Sequence, residues 1–305
     1  MIKHVIKILI LIVLSSSFNF ACLKEANELS YNNFASGILT VSEIGLGPNR
    51  IAFKLLSHEG ELINDAYITV SFQHVEADEN IEDLVQYKTA KYTIISTDDH
   101  GHSNESTHHH SENFSLYVVN NIYFSKSGYW EVSFSIESKE FPEIVNGNMF
   151  IEVKDSTATP SIGSSPPFTN NPTINTIKDL RKISTLEPIN KNLYEFTVEK
   201  ALAMQKPIVI AFSSPGFCQS KACVPMTQSV NQASKLYDNI IFIHIEPWDL
   251  EIARQNGKLE STAQSLAWKI PSEPWVFLID VNGNIVHKLE GVFSVEELIL
   301  AIRSL

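Results

Sequence analysis

Cys218 and Cys223 directly follow the apolar run from Pro207 to Phe212 and are separated by four residues. Two thiols this close can cycle between dithiol and disulfide when one of them reaches the thiolate form. The pair is therefore either a working redox centre or a static staple closing a tight loop. A regular α-helix cannot hold both ends of such a bond, because Cα atoms five residues apart lie about 8.5 Å from each other. A disulfide needs less than about 7 Å. Cys218 is thus expected in a loop and Cys223 in the first turn of the helix after it, where Pro225 is tolerated because its missing N–H has no helical partner anyway. Amide groups at a helix start favour an anionic sulfur, and Lys221 adds a positive charge between the cysteines.

A second concentration of chemistry is histidine-rich. His100, His102, His108, His109 and His110 fall in a polar stretch with Asp98, Asp99, Glu105 and Glu112. Imidazoles at this density bind copper or zinc, and carboxylates can complete the shell. The stretch reads either as a solvated loop or as a metal-capturing one. No other cofactor is required by the residues present. His244 and Glu246 end another apolar run, and His244 is either a strand histidine or a ligand. Trp248 and Trp268 either wall a groove or belong to the core.

The N-terminus bears on the compartment. Lys3 and Lys7 precede the uninterrupted apolar run from Ile8 to Leu14, and Ala21-Cys22 ends a segment too short to span a bilayer. Residues 1–22 read as a signal peptide whose end resembles a bacterial lipobox, although Asn19 stands where such motifs usually carry Leu. The expected location is extracytoplasmic, with three alternatives: lipid attachment through Cys22, release to the periplasm or medium, or an uncleaved anchor. Outside the cytoplasm a dithiol can be oxidised. Of the three cysteines only Cys218 and Cys223 remain once Cys22 is assigned to processing. The net charge of −12 and the scattered Lys and Arg exclude an electrostatic footing for nucleic acid.

Around these sites the chain reads as two domains, 27–154 and 177–305, joined by a Ser/Thr/Pro-rich linker at 155–176. The first carries short β-patterned runs at 51–56, 66–72, 115–119 and 130–137, separated by turn residues. In the last, Trp130, Val132, Phe134 and Ile136 alternate with Glu131, Ser133, Ser135 and Glu137, so that one face packs a core. About seven such strands predict an all-β immunoglobulin-like sandwich. The phrases Gly47-Pro48-Asn49-Arg50-Ile51-Ala52-Phe53 and Tyr117 onward into Ser127-Gly128-Tyr129-Trp130 resemble extracytoplasmic sandwich domains of the YtkA-like group. That resemblance implies a binding or presenting module.

The second domain alternates helix and strand: a helix at 197–205, strands at 208–212, 240–245, 275–279 and 285–289, a helix over Met226, Val230, Ala233 and Tyr237, another at 258–268, and a last one opened by a capping box at Ser294 and Glu297. The stretch from Phe212 to Pro225, with Phe217 before the first cysteine and a proline after the second, resembles the active site of the thioredoxin-like superfamily. Pro274-Trp275-Val276-Phe277-Leu278-Ile279-Asp280 is similar to that family's cis-proline and the strand behind it. The familiar motif has two residues between its cysteines, whereas this chain has four. The resemblance implies an α/β thioredoxin fold, with Cys218 attacking and Cys223 resolving, although Cys223 stands nearer the helix start and the roles could be reversed. It further implies a cis bond before Pro274, with Pro271 the other candidate, and a client groove involving Phe217, Glu273 and Trp275. In copper-handling relatives two cysteines and a histidine hold the metal, which is what directs attention to His244.

The expected function is thiol-disulfide exchange with cysteine-bearing exported proteins, coupled to an electron donor or acceptor. A metallocentre-maturation role using the histidine loop and the dithiol is the alternative, and a scaffold lipoprotein with an inert disulfide is the third reading.

Overall fold

A computed structural model describes residues 34–76, 86–96, 113–218 and 222–305. The signal segment with Cys22, the histidine-rich loop and Lys221 lie outside the described residues. Among the described residues no helix is long and apolar enough to cross a membrane.

The expected pairing of an immunoglobulin-like sandwich with an α/β thioredoxin fold is corrected, because the molecule is mostly β and its first half is a closed barrel. Strands β1 (Phe34–Leu39), β2 (Gly47–Leu56), β3 (Tyr67–His74), β4 (Gln86–Ser96), β5 (Asn113–Phe124), β6 (Gly128–Glu137) and β7 (Val145–Val153) close in the order β1-β2-β5-β4-β3-β6-β7. Closure comes from β1, which pairs antiparallel with β2 on one side and parallel with β7 on the other. Two open sheets would leave edge strands, and this seam removes them. The seam is built from small residues. Ala35 pairs with Gly147, where a Cβ would run into the Ala35 backbone. A Cβ on Gly37 would stand 2.8 Å from Phe134 and Met149. The alternation in β6 is as the sequence predicts, with Trp130, Val132, Phe134 and Ile136 buried. They fill the interior with Phe53, Phe72 and Phe124, and the Phe53–Phe134 and Phe124–Trp130 ring centroids are each 4.9 Å apart.

The second half holds a four-stranded sheet of order β11-β10-β8-β9, made by β8 (Ile208–Phe212), β9 (Ile241–Ile245), β10 (Trp275–Ile279) and β11 (Ile285–Glu290). β8 and β9 are parallel, while β10 runs antiparallel to both β8 and β11. Every residue of β8, β9 and β10 is buried, so helices must cover both faces. Those helices are short: α1 (Val198–Ala203), α2 (Cys223–Ser234), α3 (Leu250–Asn256), α4 (Ala263–Trp268) and α5 (Val295–Ile302). α2 and α5 pack Met226, Val230, Leu298 and Ile302 onto Val209, Ala211 and Val276. α1 and α4 cover the opposite face, where Trp268 meets Phe212 and Phe277. The helix expected at 258–268 is confined to α4, and a separate helix, α3, ends at left-handed Gly257.

Residues 155–176 are folded against both halves. Gly163 and Ser164 exchange backbone bonds with Ile285 at the edge of β11, and Asn171 Oδ1 accepts the Val198 N–H at the start of α1. Glu43 of the barrel accepts from Ala158 N–H and from Lys288 of β11. Arg50 makes the main crossing. It donates to both carboxylate oxygens of Glu297, at 2.7 and 3.1 Å, and to the carbonyls of Glu290 and Val292. Ser294 caps α5 through the Glu297 N–H, but the Glu297 carboxylate turns to Arg50 instead of completing the expected capping box.

Candidate functional site

The loop leaving β8 carries Cys218, and Cys223 is the first residue of α2. The two form a disulfide with Cα atoms 5.9 Å apart, within the range that loop-plus-helix placement requires. Ala222 provides no side-chain cap to α2, and the Cys223 N–H instead points at Cys218 Sγ, 3.2 Å away. Amide donation of this kind stabilises a thiolate on Cys218 when the bond is reduced. Cys223 is fully buried, whereas Cys218 and the neighbouring Phe217 are half-buried.

Opposite the sulfurs lies the turn entering β10. The peptide bond before Pro274 is cis, and Ile270–Pro271 is not; a second cis bond, Glu187–Pro188, had no signal in the sequence reading. The cis turn brings the Glu273 carboxyl to the disulfide, so that Cys218 Sγ, Cys223 Sγ and a Glu273 oxygen all lie within 4.8 Å of one another. Trp248 Nε1 donates to Glu273 Oε1 at 2.8 Å, while Oε2 is buried and makes no hydrogen bond of good geometry among the described residues. Burial raises the Glu273 carboxyl to about 7, with a further upward push from Glu246 and against the lowering effects of the Trp248 bond and the Ser214 backbone N–H. Trp275 is largely enclosed where β10 begins. It is 2% exposed, stacks on Phe277 and carries Lys288 Nζ over its ring at 5.4 Å.

His244 is a buried strand residue and not part of the sulfur cluster. Its Nδ1 lies 2.6 Å from Tyr194 Oη, and its Nε2 meets Ser213 Oγ at 2.9 Å and the Ser213 carbonyl at 3.0 Å. Because the carbonyl can only accept, Nε2 carries the proton, and burial lowers the ring to about 4, leaving it neutral. Trp268 is core, whereas Trp248 stands between Glu273 and an open cavity of about 610 Å³ that Tyr194, Glu246, Leu250 and Arg254 also line.

Sequence reasoning passed over Thr185 and gave Glu246 no role. Thr185 donates its N–H and its hydroxyl to Glu246 Oε1, and its oxygen accepts the Gly216 N–H of the cysteine loop. A glutamate closing the otherwise apolar run Ile241-Phe242-Ile243-His244-Ile245 was the available signal for one partner. Thr185, in a stretch without periodicity, offered none.

Burial raises Glu246 to about 7, while Ser214, Thr185 and the charge of Arg254 act to lower it; the Ser214 hydroxyl approaches without reaching bonding geometry. Between its ordinary value of 4.5 and about 7 the folded state keeps a proton that the unfolded chain has lost. Stability therefore falls as pH rises through that window, by about 3 kcal/mol at most. Glu246→Gln should leave stability unchanged near about pH 4 and raise it by about 1–3 kcal/mol near about pH 8. Urea melts at both pH values test this, and an equal loss at each would refute a protonated Glu246 in the folded state.

No family model matches the sequence, and no curated protein matches it.

Proposed function

We propose that this protein is an extracytoplasmic thiol-disulfide oxidoreductase acting on cysteine-bearing exported proteins. The observation that carries the reading is the asymmetry of the pair: a half-buried Cys218 sulfur served by the N–H of a helix start, with Cys223 enclosed behind it. An amide aimed at one sulfur stabilises an attacking thiolate there. The likeness of residues 212–225 and 274–280 to thioredoxin-family motifs supports the same chemistry, as does the signal-like N-terminus for the compartment.

In the reducing direction, Cys218 thiolate attacks one sulfur of a client disulfide, forming a mixed disulfide and expelling a client thiolate. Cys223, deprotonated, then attacks Cys218 Sγ, closing the intramolecular disulfide and releasing the second client thiolate. Two electrons pass to the client, which takes up two protons, and an external thiol donor must restore the dithiol. The Glu273 carboxyl, within 4.8 Å of both sulfurs, is positioned to act as the acid–base group.

The test is a glutathione redox series on the mature protein with zinc and copper removed. A reversible two-electron transition between about −120 and −300 mV is expected, and its midpoint gives the direction of exchange. A bond that stays oxidised below about −300 mV would mark a structural staple and overturn the proposal.

A further inference from the structure

We infer that the reduced dithiol and Glu273 together form a three-ligand binding site for Zn(II). The inference shares its sulfurs with the exchange reading but does not depend on exchange taking place.

The geometry is close to that of a metal site before any metal is considered. Three potential ligand atoms, two sulfurs and one carboxylate oxygen, lie within 4.8 Å of one another. Around zinc, with bonds of about 2.3 Å to sulfur and about 2.0–2.2 Å to oxygen, such atoms sit about 3.5–3.8 Å apart. Once the disulfide is reduced, its sulfurs separate toward that spacing and the carboxylate closes by about an ångström. The Cα separation of 5.9 Å is compatible with both sulfurs bound to one ion.

The carboxylate is also prepared for the role. Glu273 Oε1 is fixed by the Trp248 indole N–H, and Oε2 is buried with no well-formed hydrogen bond among the described residues. Metal-bound side chains are commonly held in this way by an outer hydrogen bond, and a buried carboxylate is stabilised by a cation. The donor set also selects the metal. Two thiolates alone suit Cu(I), whereas a carboxylate beside them favours zinc, which accepts both sulfur and oxygen. Three protein ligands leave a fourth tetrahedral position for water or an incoming thiolate.

The site would exist in one redox state only. Two thiols bind Zn(II) and release two protons. A disulfide oxidant then reverses this: the zinc-bound dithiolate gives up two electrons to form the Cys218–Cys223 bond, the ion leaves, and the oxidant takes up two protons to become two thiols. Bound zinc should accordingly slow oxidation of the pair.

The experiment uses the full mature chain with His100, His102, His108, His109 and His110 all replaced by Ser, so that the loop does not compete for metal. Zn(II) is titrated against a chromophoric chelator, and Co(II) serves as the spectroscopic probe. Reduced protein should bind one ion per chain with sulfur-to-cobalt charge-transfer absorption, and oxidised protein should not. Glu273→Gln should weaken zinc binding by at least about tenfold while keeping the charge-transfer band, and Trp248→Phe should weaken it by about 10–100-fold, the range for an outer-shell partner. Equal affinity in the two redox states, or no charge-transfer band, would overturn the inference. Unchanged affinity in Glu273→Gln would remove the carboxylate from the site and overturn the assignment as stated. Zinc binding in a protein whose disulfide proves non-exchanging would leave the inference standing and sink only the oxidoreductase reading.

Discussion

Cys218→Ser should reduce thiol-disulfide exchange to the uncatalysed background, whereas Cys223→Ser should still attack a client disulfide and then remain joined to it. The difference follows from position. Cys218 sits in the loop, half-buried, with the Cys223 N–H directed at its sulfur, so it is both reachable and stabilised as a thiolate. Cys223 is fully buried at the start of α2 and can reach only a sulfur already placed at Cys218. Removing Cys223 therefore leaves the first attack intact and eliminates the second, and the intermediate accumulates. Non-reducing electrophoresis and intact mass after mixing with a disulfide-bonded client would show a stoichiometric adduct with Cys223→Ser and none with Cys218→Ser. The opposite pattern would reverse the roles, which the sequence alone left open because Cys223 is nearer the helix start.

Arg50→Ala should destabilise the protein by about 3–5 kcal/mol, the range for removing one member of a buried ion pair. The Arg50 and Glu297 side chains are only 6% and 12% exposed. Truncation would leave the Glu297 carboxylate with Asn120 as its remaining side-chain donor among the described residues, and would strip a donor from the carbonyls of Glu290 and Val292. Replacing both charges, as in Arg50→Met with Glu297→Leu, should recover much of that loss, because no buried charge is then left unpaired. Denaturant unfolding of the two single variants and the double variant gives the coupling directly. Additive losses would show that the two side chains do not act on each other.

What the sequence made legible follows the range over which the responsible interactions act. The apolar runs at 208–212 and 275–279 give their strands to the residue, because full burial on both faces leaves an unbroken hydrophobic stretch. The loop-and-helix placement of the cysteines follows from covalent geometry over six consecutive residues. Barrel closure was not legible. It depends on Ala35 meeting Gly147 across most of the domain, in a parallel pairing that no local periodicity announces. The linker reading failed to anticipate docking for a similar reason, since Ser, Thr and Asn look solvated until their partners, such as the backbone of β11 and α1, are known. Glu246 read as an ordinary acid because burial is a property of the fold and leaves no mark on a glutamate itself. Trp275 was placed in a client groove from its neighbour Pro274, and its burial beneath Lys288 depends on a side-chain contact from β11 that the sequence does not announce.

The docking of residues 155–176 changes what the two halves can do for each other. A slack tether would let the sulfurs sweep a volume and find clients by search, at an effective concentration set by its length. With Gly163 and Ser164 stitched to the edge of β11, and Glu43 and Arg50 tying the barrel to β11 and to α5 after it, the sulfurs instead keep a fixed bearing from the barrel. A partner seated on the barrel would meet the cysteine pair only if its own exposed sulfur lay at the matching angle and height. Choice of client would then be made by alignment, as a jig accepts only the part whose holes line up with its pins.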